Sequence, residues 1–227
     1  MSLDFAQDSV FYSRLNIQPN ERLTINSSSG LRLLNNTGGV FQGTLAVNSG
    51  SVTVLDNFDS IFSTIVSGGT ISGIGSYGNI SALSGIISPG DIVGTLSTRS
   101  IVANNISTML FELGTVSTAN DQIIANGSVT LNNPVLSVTP GQFLRIGSTI
   151  TIISNDGNDA VIGTFAGLSE GSTFTSGNFT FQISYKGGSN KNDVTLNVVN
   201  GTVINPPPSN PMVLATAASA GGGPMVT

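Results

Sequence analysis

Gly43-Thr-Leu-Ala, Gly69-Thr-Ile-Ser and Gly94-Thr-Leu-Ser are three copies of one phrase, set about 25 residues apart. Each puts one aliphatic side chain between small polar neighbours, the mark of a short strand with one apolar face. The run from Gly43 to Val47 places Leu45 and Val47 on one side. Ser51–Val54 repeats this with Val52 and Val54, and Gly127–Leu131 is a later example. Gly, Asn and Ser divide these runs from about Leu23 to Val138. Strands recurring at an irregular interval of this size predict a solenoid, its turns stacked at about 4.8 Å. Small residues suit its narrow interior, and glycine lets the backbone turn corners.

The expected fold is therefore all-β: a right-handed parallel β-helix over residues 15–138, after an N-terminal cap or disordered segment over 1–14. An ordinary β-sandwich is the alternative. Against it, the Asn-Gly and Asp-Gly pairs of two-residue hairpins occur only late, at Asn126, Asp156 and Asn200. Past Pro134 the text changes, with Phe143, Phe165, Phe174, Phe179, Phe181 and Tyr185 concentrating large rings. Phe179–Tyr185 and Val194–Val198 alternate cleanly. This predicts a hairpin-rich or sandwich-like cap over 139–200, covering the apolar end and open strand edge of the last turn. Residues 201–211, with three consecutive prolines from Pro206, read as a stiff linker. Residues 212–227 read as the truncated start of a further module, so the chain is expected to continue into other domains.

Composition narrows function more than it defines it. The chain has no cysteine, histidine or tryptophan, which excludes His-dependent triads, Cys nucleophiles and His-ligated zinc. Its net charge is −5, and seven basic residues are scattered from Arg14 to Lys191. Without a basic stripe, nucleic acid is not an expected partner, nor is an anionic membrane surface. No apolar run reaches the roughly 18 residues of a membrane span, so direct membrane insertion is not expected. Met1-Ser2-Leu3-Asp4-Phe5 lacks the basic and apolar parts of a signal peptide, as in a piece of a longer precursor.

From Ser84 onward the chain resembles bacterial surface proteins carrying the autotransporter-associated β-strand repeat and the segment that follows it. The matching text is Ser84-Gly-Ile-Ile-Ser-Pro-Gly-Asp91, Gly94-Thr-Leu96, Leu110–Gly114, Asn120–Ile124 and Gly127–Leu131. It continues through Ile152–Gly157, Gly163–Leu168, Glu170–Phe174, Ile183–Tyr185 and Asn192–Leu196. Ser189-Asn190-Lys191 and Asp91 depart from that pattern. The resemblance covers residues 84–199 and implies an exported passenger of the β-helix type, without catalytic residues. Separately, Ala215–Val226 is similar to the first strand of an FG-GAP propeller blade.

Paired carboxylates remain a route to catalysis, because glycosidases need two acids roughly 5–10 Å apart across a groove. Asp56 with Asp59, and Glu112 with Asp121, are the pairs to consider. Yet Ser63–Ser107 offers only Tyr77 as an aromatic platform. Asn155-Asp156-Gly157-Asn158-Asp159 and Gly187–Asp193 each resemble part of a calcium loop, but neither has full ligand spacing. Both are read as solvated turns. Asn-Xaa-Ser/Thr triplets at Asn26, Asn35, Asn79, Asn105, Asn126, Asn178 and Asn200 are read as chance products of an Asn/Ser/Thr-rich chain. No catalytic, cofactor or metal residue is therefore assigned. The expected role is a non-enzymatic structural or adhesive module, extracellular or at the cell surface, with glycans or other surface proteins as candidate partners. The alternative is a carbohydrate-active β-helix of the tailspike or polysaccharide-degrading kind.

Overall fold

The structure, a computed structural model, describes residues 2–3, 9–11, 17–33, 42–55, 63–115, 119–157 and 159–202. Asp56, Asp59, Asn35, Asn158, the linker beyond residue 202, the segment 212–227 and most of 1–14 lie outside them. The described residues form strands and no helix. In chain order the strands are β1 (Ser2–Leu3), β2 (Ser9–Phe11), β3 (Arg22–Leu33), β4 (Thr44–Val54), β5 (Ser63–Gly73) and β6 (Ser76–Pro89). Then come β7 (Thr95–Ala103), β8 (Ser107–Leu113), β9 (Gln122–Ala125), β10 (Val129–Asn132) and β11 (Val135–Pro140). The last are β12 (Thr149–Asn155), β13 (Ile162–Thr164), β14 (Thr173–Ser176), β15 (Phe179–Gly187) and β16 (Asp193–Gly201).

All sixteen join one mostly parallel sheet, whose parallel pairings fall into three series. The first series joins β1, β3, β4, β5, β6, β7, β10 and β13. In it Leu3, Ile25, Val47, Val66, Ala82, Ala103, Leu131 and Gly163 are successive parallel partners. The second begins at β2 and runs through the C-terminal parts of β3 to β6, then β8 and β11. There Leu31, Val52, Ile71, Ile87, Met109 and Leu136 line up. The third joins β6, β7, β9 and β12, aligning Tyr77, Thr98, Ala125 and Asn155.

The alternation read from the sequence explains these rows. In a strand every second side chain faces the same way, and in a parallel pair equivalent residues lie side by side. One inward Val or Ile per strand thus becomes a continuous buried row. Ile25, Val47, Val66, Leu131, Val52, Ile71 and Ile87 are all essentially inaccessible. Each such side chain contributes roughly 1.5–3 kcal/mol on burial. The recurrence interval is not constant: in the first series it shortens to 16 residues between Val66 and Ala82 and lengthens to 32 between Leu131 and Gly163.

Bends between the first and second series carry polar links. Asn48 Nδ2 donates to Asn26 Oδ1 at 2.7 Å, and Asn132 Nδ2 to Asn104 Oδ1 at 3.2 Å. At the far end of β5 the chain closes differently. Gly73 and Gly90 exchange two backbone hydrogen bonds of 2.8 Å, both with positive φ. A side chain at Gly73 would collide with the Val54 carbonyl, so Ser-Pro-Gly-Asp returns against a position only glycine fills.

Antiparallel pairing between strands is confined to β12, β14, β15 and β16. No facing antiparallel layers of the sandwich alternative are seen among the described residues before 138. The parallel series also runs past residue 138. β12 is parallel to β9 on one edge and antiparallel to β16 on the other, and β13 is still parallel to β10. Strand β12 is therefore where the two kinds of pairing meet. Phe165, Phe179, Phe181 and Tyr185 are buried, and Phe174 stacks on Phe181 at 5.4 Å. Phe143 differs: it is 42% exposed and contributes a surface, not core volume.

Candidate functional site

Asn120-Asp121 lies just before β9, and its acid is wholly buried. Asp121 Oδ1 accepts the Gly94 N–H at 2.8 Å and Oδ2 accepts the Glu112 N–H at 2.7 Å. Its own N–H donates to Glu112 O at 2.9 Å. One carboxylate thus ties the entry to β7, strand β8 and the start of β9. Burial pushes its pKa up to about 7, against the two N–H donors that favour the charged form; the charge of Glu112 adds to the rise. The structure does bring Glu112 and Asp121 together. What joins them is the backbone of Glu112, its N–H on the Asp121 carboxylate and its carbonyl on the Asp121 N–H, and an acid sealed this way has no sugar-accessible face.

Next to this tie is a shallow hollow of about 160 Å³, lined by Gly114, Asn120, Phe143, Arg145, Ser148 and Ile150, among others. It shares Asn120, Thr149 and Ile150 with a second, of about 250 Å³, that reaches Gln122 and Thr151. No carboxylate lines either hollow. An amide, a hydroxyl, a guanidinium and an exposed ring can hold a polar ligand, but they supply no acid–base pair.

The two turns that resemble calcium loops meet in space, which neither stretch announces by itself. Pairing of β12 with β16 puts Asn155 N–H on Asp193 Oδ1 at 2.9 Å. Asn155 Nδ2 donates to Asp159 O at 2.8 Å, and Asn192 Nδ2 to Gly157 O at 2.6 Å. Asn155 and Asn192 are both buried. The carbonyls a cation would need already accept amide hydrogens, and among the described residues no three Asp or Glu converge. Asn155 Oδ1 is left buried without a hydrogen-bond partner. The cluster is a staple across the 155–159 loop.

Two further acids act on the chain's own backbone or surface. Asp91, from the Ser-Pro-Gly-Asp segment, pairs with Arg32 through bonds of 3.0 and 2.7 Å. Hydrogen bonding to the Arg32 guanidinium holds its pKa below the usual carboxylate value. Glu170 accepts the Tyr185 N–H and the Ser184 hydroxyl, both at 2.7 Å. The Tyr185 hydroxyl in turn accepts the Phe165 N–H at 2.9 Å and donates to Leu168 O at 2.7 Å, pinning the 165–168 turn. Its pKa is pushed up to about 12, mainly by burial. Sequence reading missed these ties because each joins residues 14 to 59 positions apart.

Among known proteins, no family model and no curated protein matches the chain.

Proposed function

We propose that the chain is a segment of a right-handed parallel β-helix that serves as a non-enzymatic spacer or adhesive module of a larger extracellular or cell-surface protein. The observation that carries the reading is the first pairing series: eight strands, each parallel to the one before, in an unbroken succession of partners from Leu3 to Gly163. Such a series follows if the chain winds and returns one strand further along an axis each time. Parallel returns of this kind are almost always right-handed. The asparagine contacts Asn26–Asn48 and Asn104–Asn132 fit the same winding, since equivalent corners would then stack. Antiparallel β14–β16 would close one end as a cap.

A spacer reading accounts for where the acids are. Asp121, Asp91, Glu170 and Asp193 are each engaged with backbone or with Arg32, not facing one another across a groove. The resemblance to autotransporter-associated repeats, the low charge and the outward Ser, Thr and Asn rows support an exported role with glycans or neighbouring surface proteins as partners. For the carbohydrate-active alternative, the hollows lack the acids it requires. Two measurements test the proposal. Small-angle scattering on the 227-residue chain should give an elongated core, with the stacked strands rising about 4.8 Å each. Incubation with a panel of polysaccharides should release no new reducing ends. Sugar release that is abolished by an Asp→Asn substitution would replace the spacer reading with the enzymatic one.

A further inference from the structure

Six large aliphatic side chains cluster on the outer surface where the first and second pairing series meet. Leu83 and Ile106 sit at the bend itself, directly after β6 has passed Ala82 and directly before β8. Val102 and Ile162 flank Thr130 in one outward row, through the pairs Val102–Thr130 and Thr130–Ile162. Ile86 and Val135 flank Thr108 in the row on the other side of the bend. Ile106 is 70% exposed and Ile162 59%; the other four are between 36% and 46%. At roughly 90 Å² exposed apiece, the cluster presents on the order of 500 Å² of apolar surface, interrupted by Thr108 and Thr130, at the upper end for a monomer. These six are more than half of the large hydrophobics exposed among the described residues.

The surroundings indicate what covers it. Residues 60–90, 100–111, 122–144 and 160–169 contain no Asp, Glu, Lys or Arg. The chain as a whole carries −5, so two copies repel each other over most approaches. This bend is a face where they can meet without opposing charges. The apolar cluster, with the interposed Thr108 and Thr130 and the neighbouring Asn104 and Asn132, approaches the roughly 800 Å² per partner of an ordinary stable interface. We infer that this bend is a self-association surface: two copies pack side by side, isologously, across the Leu83, Ile86, Val102, Ile106, Val135 and Ile162 patch. Self-pairing suits a face that is uncharged throughout, because it needs no charge complement from its partner. Ile106, the most exposed of the six, lies close to the two-fold axis and to its own counterpart.

Sedimentation velocity over a micromolar to high-micromolar range should show a concentration-dependent dimer. Ile106→Asp should raise the dissociation constant by about tenfold or more, as expected for a central anchor. Ile92→Asp, at a residue 64% exposed but outside the patch, should leave it unchanged. Because the chain has no cysteine, Ile106→Cys provides a second readout. It should form a disulfide-linked dimer on mild oxidation, and Ile92→Cys should not. A wild-type chain that remains monomeric throughout the range overturns the inference. So does a dimer that Ile106→Asp leaves intact, or equal cross-linking at residues 92 and 106. The scattering and polysaccharide tests above are independent of these outcomes, since association is read from the pairing rows and not from the spacer role.

Discussion

Replacing Asp121 with alanine removes the acceptors of two backbone donors at once, Gly94 N–H and Glu112 N–H. A stranded buried donor costs about 1–3 kcal/mol. Both are only partly buried, so the pair together should cost about 3 kcal/mol by the same rule. In a chain of this size each kcal/mol lowers the melting temperature by about 2–4 °C, which predicts a fall of about 9 °C. Asp121→Asn keeps one acceptor but turns amide hydrogens toward the other donor, so its cost should be smaller, about 2 kcal/mol. The pH dependence separates burial from hydrogen bonding. The folded acid has its pKa raised to about 7, whereas unfolded aspartate titrates near about 3.9. Between those values the folded state holds a proton that the unfolded state has released. The stabilising contribution is therefore complete below about pH 4, declines as pH rises, and is lost above about pH 7. Urea unfolding followed by far-ultraviolet circular dichroism from pH 4 to 8 reads both effects. Wild type should lose stability across that range relative to Asp121→Asn. A wild type that instead gains stability with pH would mean that the two N–H donors outweigh burial. An alanine variant within about 1 kcal/mol of wild type at pH 4, where the contribution of the acid is complete, would refute the tie itself.

Three further outcomes are expected. Thr64 stands in an inward row between Leu45 and Ile80, with its hydroxyl buried and unpartnered, so the near-isosteric Thr64→Val should stabilise by about 1 kcal/mol in the same unfolding assay. Tyr185→Phe leaves the Phe165 N–H without its acceptor and the Leu168 carbonyl without its donor; it should cost about 2 kcal/mol, and amide exchange should quicken at Phe165. Calcium or EDTA should leave the thermal midpoint unmoved, because amide hydrogens hold the Gly157 and Asp159 carbonyls; a calcium-dependent rise would show that a cation displaces them.

Much of the strand layout was legible from local pattern. Leu45 and Val47, or Val52 and Val54, alternate with polar neighbours, and that period alone assigns strands and an inward face. The rings at Phe179, Phe181 and Tyr185 marked a bulkier C-terminal core for the same local reason. The position of the change from parallel to antiparallel pairing was less legible. Composition shifts near Pro134, but β12 and β13 remain parallel to earlier strands, because pairing direction depends on the path the chain takes between strands and not on their side chains.

What the sequence determined by itself is chemical class and periodicity: no histidine or cysteine chemistry, little charge, and short strands with one apolar face. What only the tertiary structure decided is which polar groups meet. Asp121 reaches Gly94, Asp91 reaches Arg32, and Asn155 reaches Asp193, across separations of 27, 59 and 38 residues. The exposed bend that gathers Leu83, Ile106 and Ile162 belongs to the same class. The reason is that the intervals between parallel partners in the first series vary from 16 to 32 residues. With no fixed period, residues that become neighbours carry no mark in the sequence, and their meeting is set by backbone register alone.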